Sequence, residues 1–266
     1  MVSVGALRAH LVASGLAGAV PRAREESLAA YRLFAARDPR RTFGLDPVGE
    51  WGAGELLRLM ADRCGVSADP GRRSGPDQID PDRAVAALDA FAERLARAAH
   101  DRSPVLLGTG HPHRLLGFYA TLAAALSAAG CSVLTPAYGR CMPVATQFGV
   151  RAHRLGYVGG VALARGEGAE RGAHTHSALP VRAALGAAAE QAGRLPGLVV
   201  GDHGFACGAA QLGFEAIALA DTDDPAVFVA EAEGRVSVAV PLHDGAASDA
   251  YRPVTRYVLS RAWLAR

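Results

Sequence analysis

The sequence contains few cysteines, and none of them lie close together in the chain. The four cysteines form no CxxC pair and show no spacing that is typical of a zinc site: Cys64, Cys131, Cys141 and Cys207. A chain with so few and such widely separated cysteines is typical of a reducing compartment, where thiols stay free. We therefore expect a cytoplasmic protein without disulfide bonds.

Long hydrophobic runs are also absent. The longest early apolar stretch, residues 11–20, is too short and too rich in glycine to span a membrane. No basic start followed by an apolar segment and a cleavage site indicates a signal peptide. The sequence thus predicts no membrane partner, in agreement with a cytoplasmic location.

Neither sign of charge is in large excess. There are 28 basic and 26 acidic residues, which give a formal net charge of +2, and no tract of basic residues stands alone. Nucleic-acid-binding domains usually carry such a tract, so we expect no nucleic-acid partner. The GxxxxGKS, GxxxxGKT and GxSxG motifs are missing as well, which argues against a P-loop NTPase and against a serine hydrolase of the α/β-hydrolase type.

The chain does contain enough apolar material for one large domain, or for one domain with a helical appendage. It has 266 residues, of which 50% are hydrophobic. Apolar residues recur at helical spacing near the N-terminus, and Asp-Pro pairs interrupt them, which predicts helices over residues 4–14, 25–36, 54–64 and 82–99. We interpret residues 1–100 as an N-terminal helical cover and residues 101–266 as an α/β catalytic domain, the two forming one compact unit.

The N-terminal region carries arginines that allow two interpretations. They can reach over the α/β domain and bind an anion, because guanidinium groups pair well with phosphate. They can equally form a solvated surface, which is where single charged residues usually lie and which the sequence favours. The residues concerned are Arg22, Arg24, Arg40 and Arg41, together with the polar run of residues 72–80.

Residues 103–114 change from a buried-strand composition to a loop of glycine and histidine. An apolar run at residues 104–107 precedes the loop, and residues 115–129 are rich in alanine and leucine, which favours a helix. Such a loop lies at the carboxyl edge of a parallel sheet, where N–H groups at the start of the helix bind anions. A tight turn whose histidines only cap the helix, with the arginine in solvent, is the alternative. We assign phosphate binding to Gly108, Thr109, Gly110, His113 and Arg114.

From residue 103 onward, short apolar runs alternate with helical segments, which predicts an α/β fold. The expected architecture is a parallel-type sheet flanked by helices, in Rossmann-like layers, with the N-terminal helical region added. A turn at residues 166–168 is expected to return the chain to residue 173, and a helix is expected over residues 179–192. We predict strands over residues 104–107, 131–134, 157–164, 197–201, 215–220 and 235–240.

Histidine and aspartate collect at the ends of these strands. In parallel sheets, ligands bind outside the carboxyl ends of the strands, so side chains placed there converge although they lie far apart in the chain. Six of the nine histidines lie at such positions: His111, His113, His174, His176, His203 and His243.

Two strand ends carry pairs of reactive side chains. His174 and His176 flank Thr175, and in an extended segment their imidazoles point to the same side. Surface histidines at a strand exit are the alternative. Asp202 beside His203 suggests a carboxylate ligand or a base, with the two side chains diverging to separate partners. An aspartate that caps the next helix is the alternative.

Four further residues allow more than one role. Asp221, Asp223 and Asp224 are candidate ligands, but Asp224 precedes a proline and is favoured as the cap of the next helix. Cys207 is either an activated thiolate or, more commonly, a small buried side chain.

Several His and Asp side chains beside an anion site suit a divalent metal ion, either Mg²⁺, Mn²⁺ or Zn²⁺. Such an ion polarises a phosphoryl oxygen and lowers the pKa of a bound water. We assign the metal ligands to His174, His176, Asp202 and Asp221, and the catalytic groups to His111, Asp202 and His203.

Four segments resemble a group of actinobacterial proteins labelled phosphatases: GTGHPHRLL, AHTHS, VVGDHGFACGAAQLGFEAIALADTDDPA and VPLHDG. The resemblance runs through nearly the whole chain, including the N-terminal helices and the GPDQIDP turn, and it implies a phosphatase without naming a substrate. In layout only, the chain is similar to the metal-dependent damage-control phosphatases of small metabolites, which have an Asp-Asn pair where this chain has Gly110 and His111. It also resembles zinc-dependent deacetylases of N-acetylglucosamine conjugates at His111 and Pro112, although His113 and Arg114 replace two aspartates.

The sequence therefore predicts hydrolysis of a phosphate monoester on a small phosphorylated metabolite, either a sugar phosphate or a nucleotide. The reaction is expected to be assisted by a metal ion at the carboxyl edge of the sheet. Two alternatives remain: a metal-dependent amide or acyl hydrolase, and a non-catalytic protein that binds a nucleotide or sugar phosphate. The alanine-rich helices also allow a homodimer.

Overall fold

A computed structural model of the chain describes residues 2–166, 172–190 and 194–265. Two sheets are present in these residues. The strands are β1 (Gly18–Ala23), β2 (Pro76–Ile79), β3 (Val105–Gly108), β4 (Cys141–Thr146), β5 (Gly149–Val158), β6 (Val161–Arg165), β7 (Leu198–Asp202), β8 (Ala216–Ala220) and β9 (Val236–Pro241).

The main sheet has seven strands in the order β4-β5-β6-β3-β7-β8-β9. The five strands from β6 to β9 in this order run parallel, whereas β4 and β5 add an antiparallel edge. Every residue of β3, β7 and β8 is buried, as expected of strands that are covered on both faces. The predicted α/β class with a largely parallel sheet is therefore confirmed.

Helices cover both faces of this sheet. They are α1 (Val4–Ala13), α2 (Arg24–Ala35), α3 (Pro39–Thr42), α4 (Ala53–Cys64), α5 (Pro81–His100), α6 (Pro112–Ala128), α7 (Leu179–Glu190), α8 (His203–Gln211), α9 (Pro225–Ala232) and α10 (Tyr251–Arg261), with a short 3-10 turn at Ser248–Ala250.

The first hundred residues contribute to the core on both faces of the sheet. Leu7 of α1 and Phe91 of α5 pack in one hydrophobic cluster with α6 and α10. Tyr31 of α2 and Leu56 of α4 pack in the other cluster with α7, α8 and α9. Residues 1–100 thus form parts of two layers, and the division of the chain at residue 100 stays a prediction.

Most helix ends lie within a few residues of their predicted positions because local signals mark them. At α5, for example, Asp80 accepts hydrogen bonds from the N–H groups of Asp82 and Arg83, and Pro81 occupies the first helical position. The predicted turn at residues 166–168 and the predicted end of α7 at residue 192 lie wholly or partly outside the described residues.

Two sequence predictions about the strands are wrong, and one small sheet was not predicted. Residues 131–134 form only an isolated bridge, from Val133 to Val105, instead of a strand. Residues 157–164, predicted as one strand, contain the end of β5, a turn and most of β6, because Gly159 and Gly160 adopt positive φ values of 56° and 80° and reverse the chain. The N-terminal region also contains the small antiparallel sheet of β1 and β2, which was not predicted because these segments show no alternating apolar pattern.

Two further observations bear on the predicted environment. No helix within the described residues is both long and apolar enough to cross a membrane. The four cysteines are free thiols, three of them buried, and Cys141 is exposed.

The topology brings distant segments of the chain to one edge of the sheet. Because β3, β7, β8 and β9 run parallel, the residues that follow them all emerge on the same side. Residues 172–177 run past this edge, where the N–H of Thr175 donates to the carbonyl of Gly110. The candidate site lies here.

Candidate functional site

The turn from β7 into α8 presents Asp202 and His203 as a bonded pair. Asp202 is buried, and its carboxylate accepts hydrogen bonds from the Thr109 hydroxyl and the Gly110 N–H, both at 2.6 Å. Its Oδ1 also lies 3.1 Å from Nδ1 of His203. His203 has a φ of +40°, a conformation that non-glycine residues rarely adopt. The predicted divergence of these two side chains is therefore wrong, because the left-handed backbone turns the imidazole back to its neighbour.

Two glycines let the loops of the site approach one another closely. A Cβ atom added to Gly110 would collide with the carbonyl oxygen of Thr175, and one added to Gly204 would collide with the backbone of His176 and Ser177. Only glycine fits such close backbone contacts. The extended segment of residues 172–177 is thereby held against the ends of β3 and β7.

Four imidazoles form a continuous chain along this edge. His111 stacks on His174 with ring centroids 4.3 Å apart, His174 lies 5.0 Å from His176, and His176 lies 4.4 Å from His203. Thr175 points away, since its hydroxyl donates to the carbonyl of Ala145 at 2.6 Å. This alternation is the one that an extended segment imposes.

Buried carboxylates face the imidazoles from the ends of β8 and β9. Nε2 of His203 lies 3.0 Å from Oδ2 of Asp244 and 3.3 Å from Oδ2 of Asp224. Nδ1 of His111 lies 3.2 Å from the same Asp244 oxygen. Asp244 therefore connects both ends of the imidazole chain.

A second group of charges adjoins the first. Nδ1 of His243 lies 2.8 Å from Oδ2 of Asp221. Arg22, at the end of β1, donates to Asp221 at 3.0 Å and pairs with Asp223 at 3.1 Å. Arg41 donates to Asp223 at 3.0 Å. Two of the four N-terminal arginines thus reach the site, contrary to the solvated surface that the sequence favoured.

Burial and mutual charges shift the pKa values of the imidazoles in opposite directions. Burial, with the nearby charges of His111 and His203, lowers the pKa of His174 to about 4. Burial likewise holds the pKa of His176 well below its usual range. Burial opposes protonation of His203 too, but the three carboxylates that face it outweigh this effect and raise its pKa well above 6.5. His174 and His176 are therefore neutral at neutral pH, as metal ligands must be.

The carboxylates respond to the same charges. Burial disfavours ionisation of Asp244, yet its bonds to His111 and His203 hold its pKa well below 3.8. Burial, with the charges of Asp224 and Asp221, raises the pKa of Asp223 to about 7. The carboxylates of the site thus lie close enough together, without metal, for their mutual repulsion to favour the protonated form of Asp223.

Three groups of side chains in the described residues offer converging donors within 4.8 Å of one another. They are His174, His176 and His203; then His203, Asp224 and Asp244; and finally Asp221, His243 and Asp244. Two buried atoms nearby have no hydrogen-bond partner among the described residues: Nε2 of His174 and Oδ1 of Asp244. Imidazole nitrogens and carboxylate oxygens suit Zn²⁺ and Mn²⁺, and the carboxylates alone suit Mg²⁺. The residues present therefore fit a divalent metal ion.

The structure brings six of the predicted site residues together. The carboxylate of Asp202 accepts hydrogen bonds from Thr109 and Gly110 and contacts Nδ1 of His203, an arrangement also found for carboxylates behind metal-bound histidines. The six residues are His111, His174, His176, Asp202, His203 and Asp221.

The predicted phosphate-binding residues have other surroundings. The N–H groups of Thr109, Gly110 and His111 donate to Ala162, Asp202 and Thr109, respectively. Gly108 lies in the buried end of β3. The side chains of His113 and Arg114 are exposed on the first turn of α6. The amide donors of this loop are therefore used inside the protein.

The sequence interpretation missed several residues of the site. Asp224 precedes Pro225 at the start of α9 as predicted, but its side chain makes no capping bond and contacts His203 instead. His243 and Asp244 follow a predicted strand, which was a usable signal. Arg22 was named only as one of several arginines able to reach over the α/β domain, and Asp223 only as part of the acidic group before Pro225. Cys207 is fully buried and its burial raises the pKa of the thiol, so it is the inert alternative.

A cavity of about 240 Å³ lies elsewhere, beside the hairpin of β4 and β5. It is lined by Cys141, Arg154 and Arg165 among others, and it includes none of the imidazoles and carboxylates that converge at the sheet edge. The reactive groups therefore do not face this cavity.

Comparisons with known proteins identify the family of the chain. The chain matches the model of a protein family described as Phosphatase over residues 2–266. A Streptomyces coelicolor protein named Phosphatase SCO2771 is 40% identical over 263 residues, which cover 97% of this chain and 95% of that protein. These matches confirm the resemblance to phosphatases that the sequence motifs indicated. The chain therefore belongs to the Phosphatase family, whose model it matches over residues 2–266.

Proposed function

We propose that the protein hydrolyses phosphate monoesters of small phosphorylated metabolites, such as sugar phosphates or nucleotides, with a divalent metal ion at the carboxyl edge of the sheet. One observation carries this proposal. Nε2 of His203 lies within 3.3 Å of two buried carboxylates, Asp224 and Asp244, and His176 lies beside the same ring. Such converging nitrogen and oxygen donors are typical of a metal site.

Asp202 prepares His203 for this role. Its carboxylate accepts a hydrogen bond from Nδ1–H of His203, which keeps the proton on Nδ1 and leaves the lone pair of Nε2 free to bind metal. The Thr109 hydroxyl and the Gly110 N–H hold the carboxylate in place. When bound, a divalent ion polarises a phosphoryl oxygen and lowers the pKa of a nearby water.

His111 is suited to transfer a proton to the leaving oxygen. Oδ2 of Asp244 accepts from Nδ1 of His111, so Nε2 is the atom that gains and gives the proton. The side chain is 15% exposed and stacks on His174, which places it at the boundary between the cluster and solvent. A phosphate ester that enters from solvent meets this ring.

Arg22 and Arg41 supply positive charge on the same side. Their side chains are 25% and 23% exposed, respectively, and both bond to Asp223. Nη2 of Arg22 also lies 3.6 Å from Asp244, the carboxylate that His111 contacts. A dianionic phosphate beside His111 is therefore close to a guanidinium group, which favours its binding.

The proposal is tested by phosphate release from a panel of sugar phosphates and nucleotides, with and without a chelator. We expect the chelator to abolish release and added Mg²⁺, Mn²⁺ or Zn²⁺ to restore it. The substitution His111→Gln should lower the turnover by about 10²–10⁴-fold, the usual contribution of a positioned acid or base. The exposed His100→Gln is the matched control and should leave turnover unchanged.

Other outcomes would replace the proposal. Phosphate release that is insensitive to the chelator would remove the metal from the mechanism. Release of acetate or an amine from acylated substrates, without phosphate release, would indicate an amide or acyl hydrolase. Binding of nucleotides or sugar phosphates without turnover would indicate a binding protein.

A further inference from the structure

Asp244 lies between two groups of metal-binding side chains. On one side, its Oδ2 faces Nε2 of His203, and Asp224 completes that group. On the other side, Asp221 and His243 form a second group with Asp244. Nη2 of Arg22 lies 3.0 Å from Oδ2 of Asp221 and 3.6 Å from Oδ1 of Asp244, so Oδ1 faces the second group. The two oxygens of one carboxylate thus point toward different donor groups.

The oxygen that faces the second group lacks a hydrogen bond. Oδ1 of Asp244 is buried, the side chain is 6% exposed, and the atom has no hydrogen-bond partner among the described residues, since Nη2 of Arg22 stays 3.6 Å away. A buried carboxylate oxygen without a hydrogen bond is costly, and native proteins usually satisfy it with a donor, a water or an ion. Its position among Asp221 and His243 indicates a cation.

The charges of the site point the same way. Five buried carboxylates belong to it: Asp202, Asp221, Asp223, Asp224 and Asp244. Among the described residues they are matched by two guanidinium groups, Arg22 and Arg41. With the imidazoles neutral, as ligands must be, the carboxylates outnumber the guanidinium groups by up to three. One divalent ion does not give the site a net positive charge, whereas two do, and a net positive site attracts a phosphate dianion.

We infer that the site holds two divalent metal ions bridged by the carboxylate of Asp244. His203 and Asp224 would hold the first ion through Oδ2 of Asp244, and Asp221 and His243 would hold the second through Oδ1. This inference rests on the proposed function, because the charge argument assumes a phosphate substrate. Two ions a few ångströms apart can clamp both the attacking and the leaving oxygen of a displacement at phosphorus.

The test measures metal content and does not depend on activity. The full-length chain is stripped with a chelator, reloaded with Mn²⁺ and desalted, and its manganese is measured by elemental analysis. We expect two ions per chain, and an electron paramagnetic resonance spectrum that shows coupling between them. The substitution His243→Gln should reduce the content to one ion and remove the coupling, whereas the exposed Asp249→Asn should keep both.

One ion per chain in the unsubstituted protein, without a coupled spectrum, would overturn the inference. In that case the variant Arg22→Gln shows why the second ion is missing. A gain to two ions in this variant would show that the Arg22 guanidinium is the resident cation of the second group. Phosphate release with a single ion would preserve the proposed function and reject the second ion, whereas two ions without phosphate release would preserve the metal pair and reject the function.

Discussion

Nδ1 of His203 lies 3.1 Å from Oδ1 of Asp202, its own neighbour in the chain. The contact exists because His203 adopts a φ of +40° at the sharp turn from β7 into α8. Residues in such sparsely populated conformations cost of the order of 1–3 kcal/mol and cluster at functional sites. Here the strained turn places an oriented imidazole at the carboxyl edge of the sheet.

Replacing Asp202 with Asn should weaken metal binding by about 10–100-fold, the usual effect of removing a carboxylate behind a metal-bound histidine. The amide carries no charge to hold the Nδ1 proton of His203, and an NH₂ group in place of Oδ2 cannot accept the hydrogen bond from the Thr109 hydroxyl. Metal titration followed by calorimetry measures the effect. The exposed Asp249→Asn is the control, and an unchanged affinity in Asp202→Asn would assign Asp202 a purely structural role.

Replacing Gly110 with Ala should destabilise the protein by about 1–3 kcal/mol, as overpacking of a tight contact does. The added methyl group would collide with the carbonyl oxygen of Thr175, so the segment that carries His174 and His176 must move. Denaturant unfolding gives the change in the free energy of unfolding, and phosphate release gives the change in activity.

Gly117→Ala in α6 is the matched control for this substitution. A Cβ atom at Gly117 meets no other atom within 4 Å, and the residue is exposed in a helix. Alanine there should stabilise the protein by about 0.5–1 kcal/mol through its higher helix propensity. Equal effects of both substitutions would mean that the contact between residues 110 and 175 does not hold the segment.

Metal binding should release a proton and should strengthen as the pH rises. In the absence of metal, the carboxylates around His203 raise its pKa well above 6.5, so the ring is protonated on both nitrogens at neutral pH. A metal ligand must give up the proton on the coordinating nitrogen. Calorimetric titrations in two buffers of unequal ionisation enthalpy count the released protons, and identical heats in both would contradict this expectation.

The same pKa shifts give the pH dependence of stability without metal. The raised pKa of His203 contributes stability below 6.5 that is lost as the pH rises through the higher folded value. The lowered pKa of Asp244 contributes stability above 3.8 that is lost as the pH falls through its lower folded value. The lowered pKa values of His174 and His176 cause a further loss of stability as the pH falls below 6.5, because the imidazoles are protonated there in the unfolded chain and not in the folded one. We expect the metal-free protein to be most stable near pH 6.5 in thermal melts. Bound metal should abolish the loss of stability above pH 6.5, because a metal-bound His203 no longer carries the second proton.

Much of the site was visible in the sequence because parallel strands end at one edge. His111, Asp202 and His203 follow apolar runs, and the structure brings them together with His174 and His176. The role of Asp202 was not predictable. Whether a strand-end carboxylate binds an ion or orients a neighbour depends on the donors around it, and these come from a loop ninety-two residues away in the chain.

The sequence by itself determined the α/β class, the approximate ends of most helices, the membership in the Phosphatase family and the collection of histidines at strand ends. These features follow from local periodicity, capping residues and motifs that lie within short segments. The tertiary structure alone decided that Arg22 and Arg41 reach the site and that Asp244 joins its two groups of donors. Those contacts depend on how β1 and α3 pack against the ends of β8 and β9, which is a relation between distant segments that no local pattern encodes.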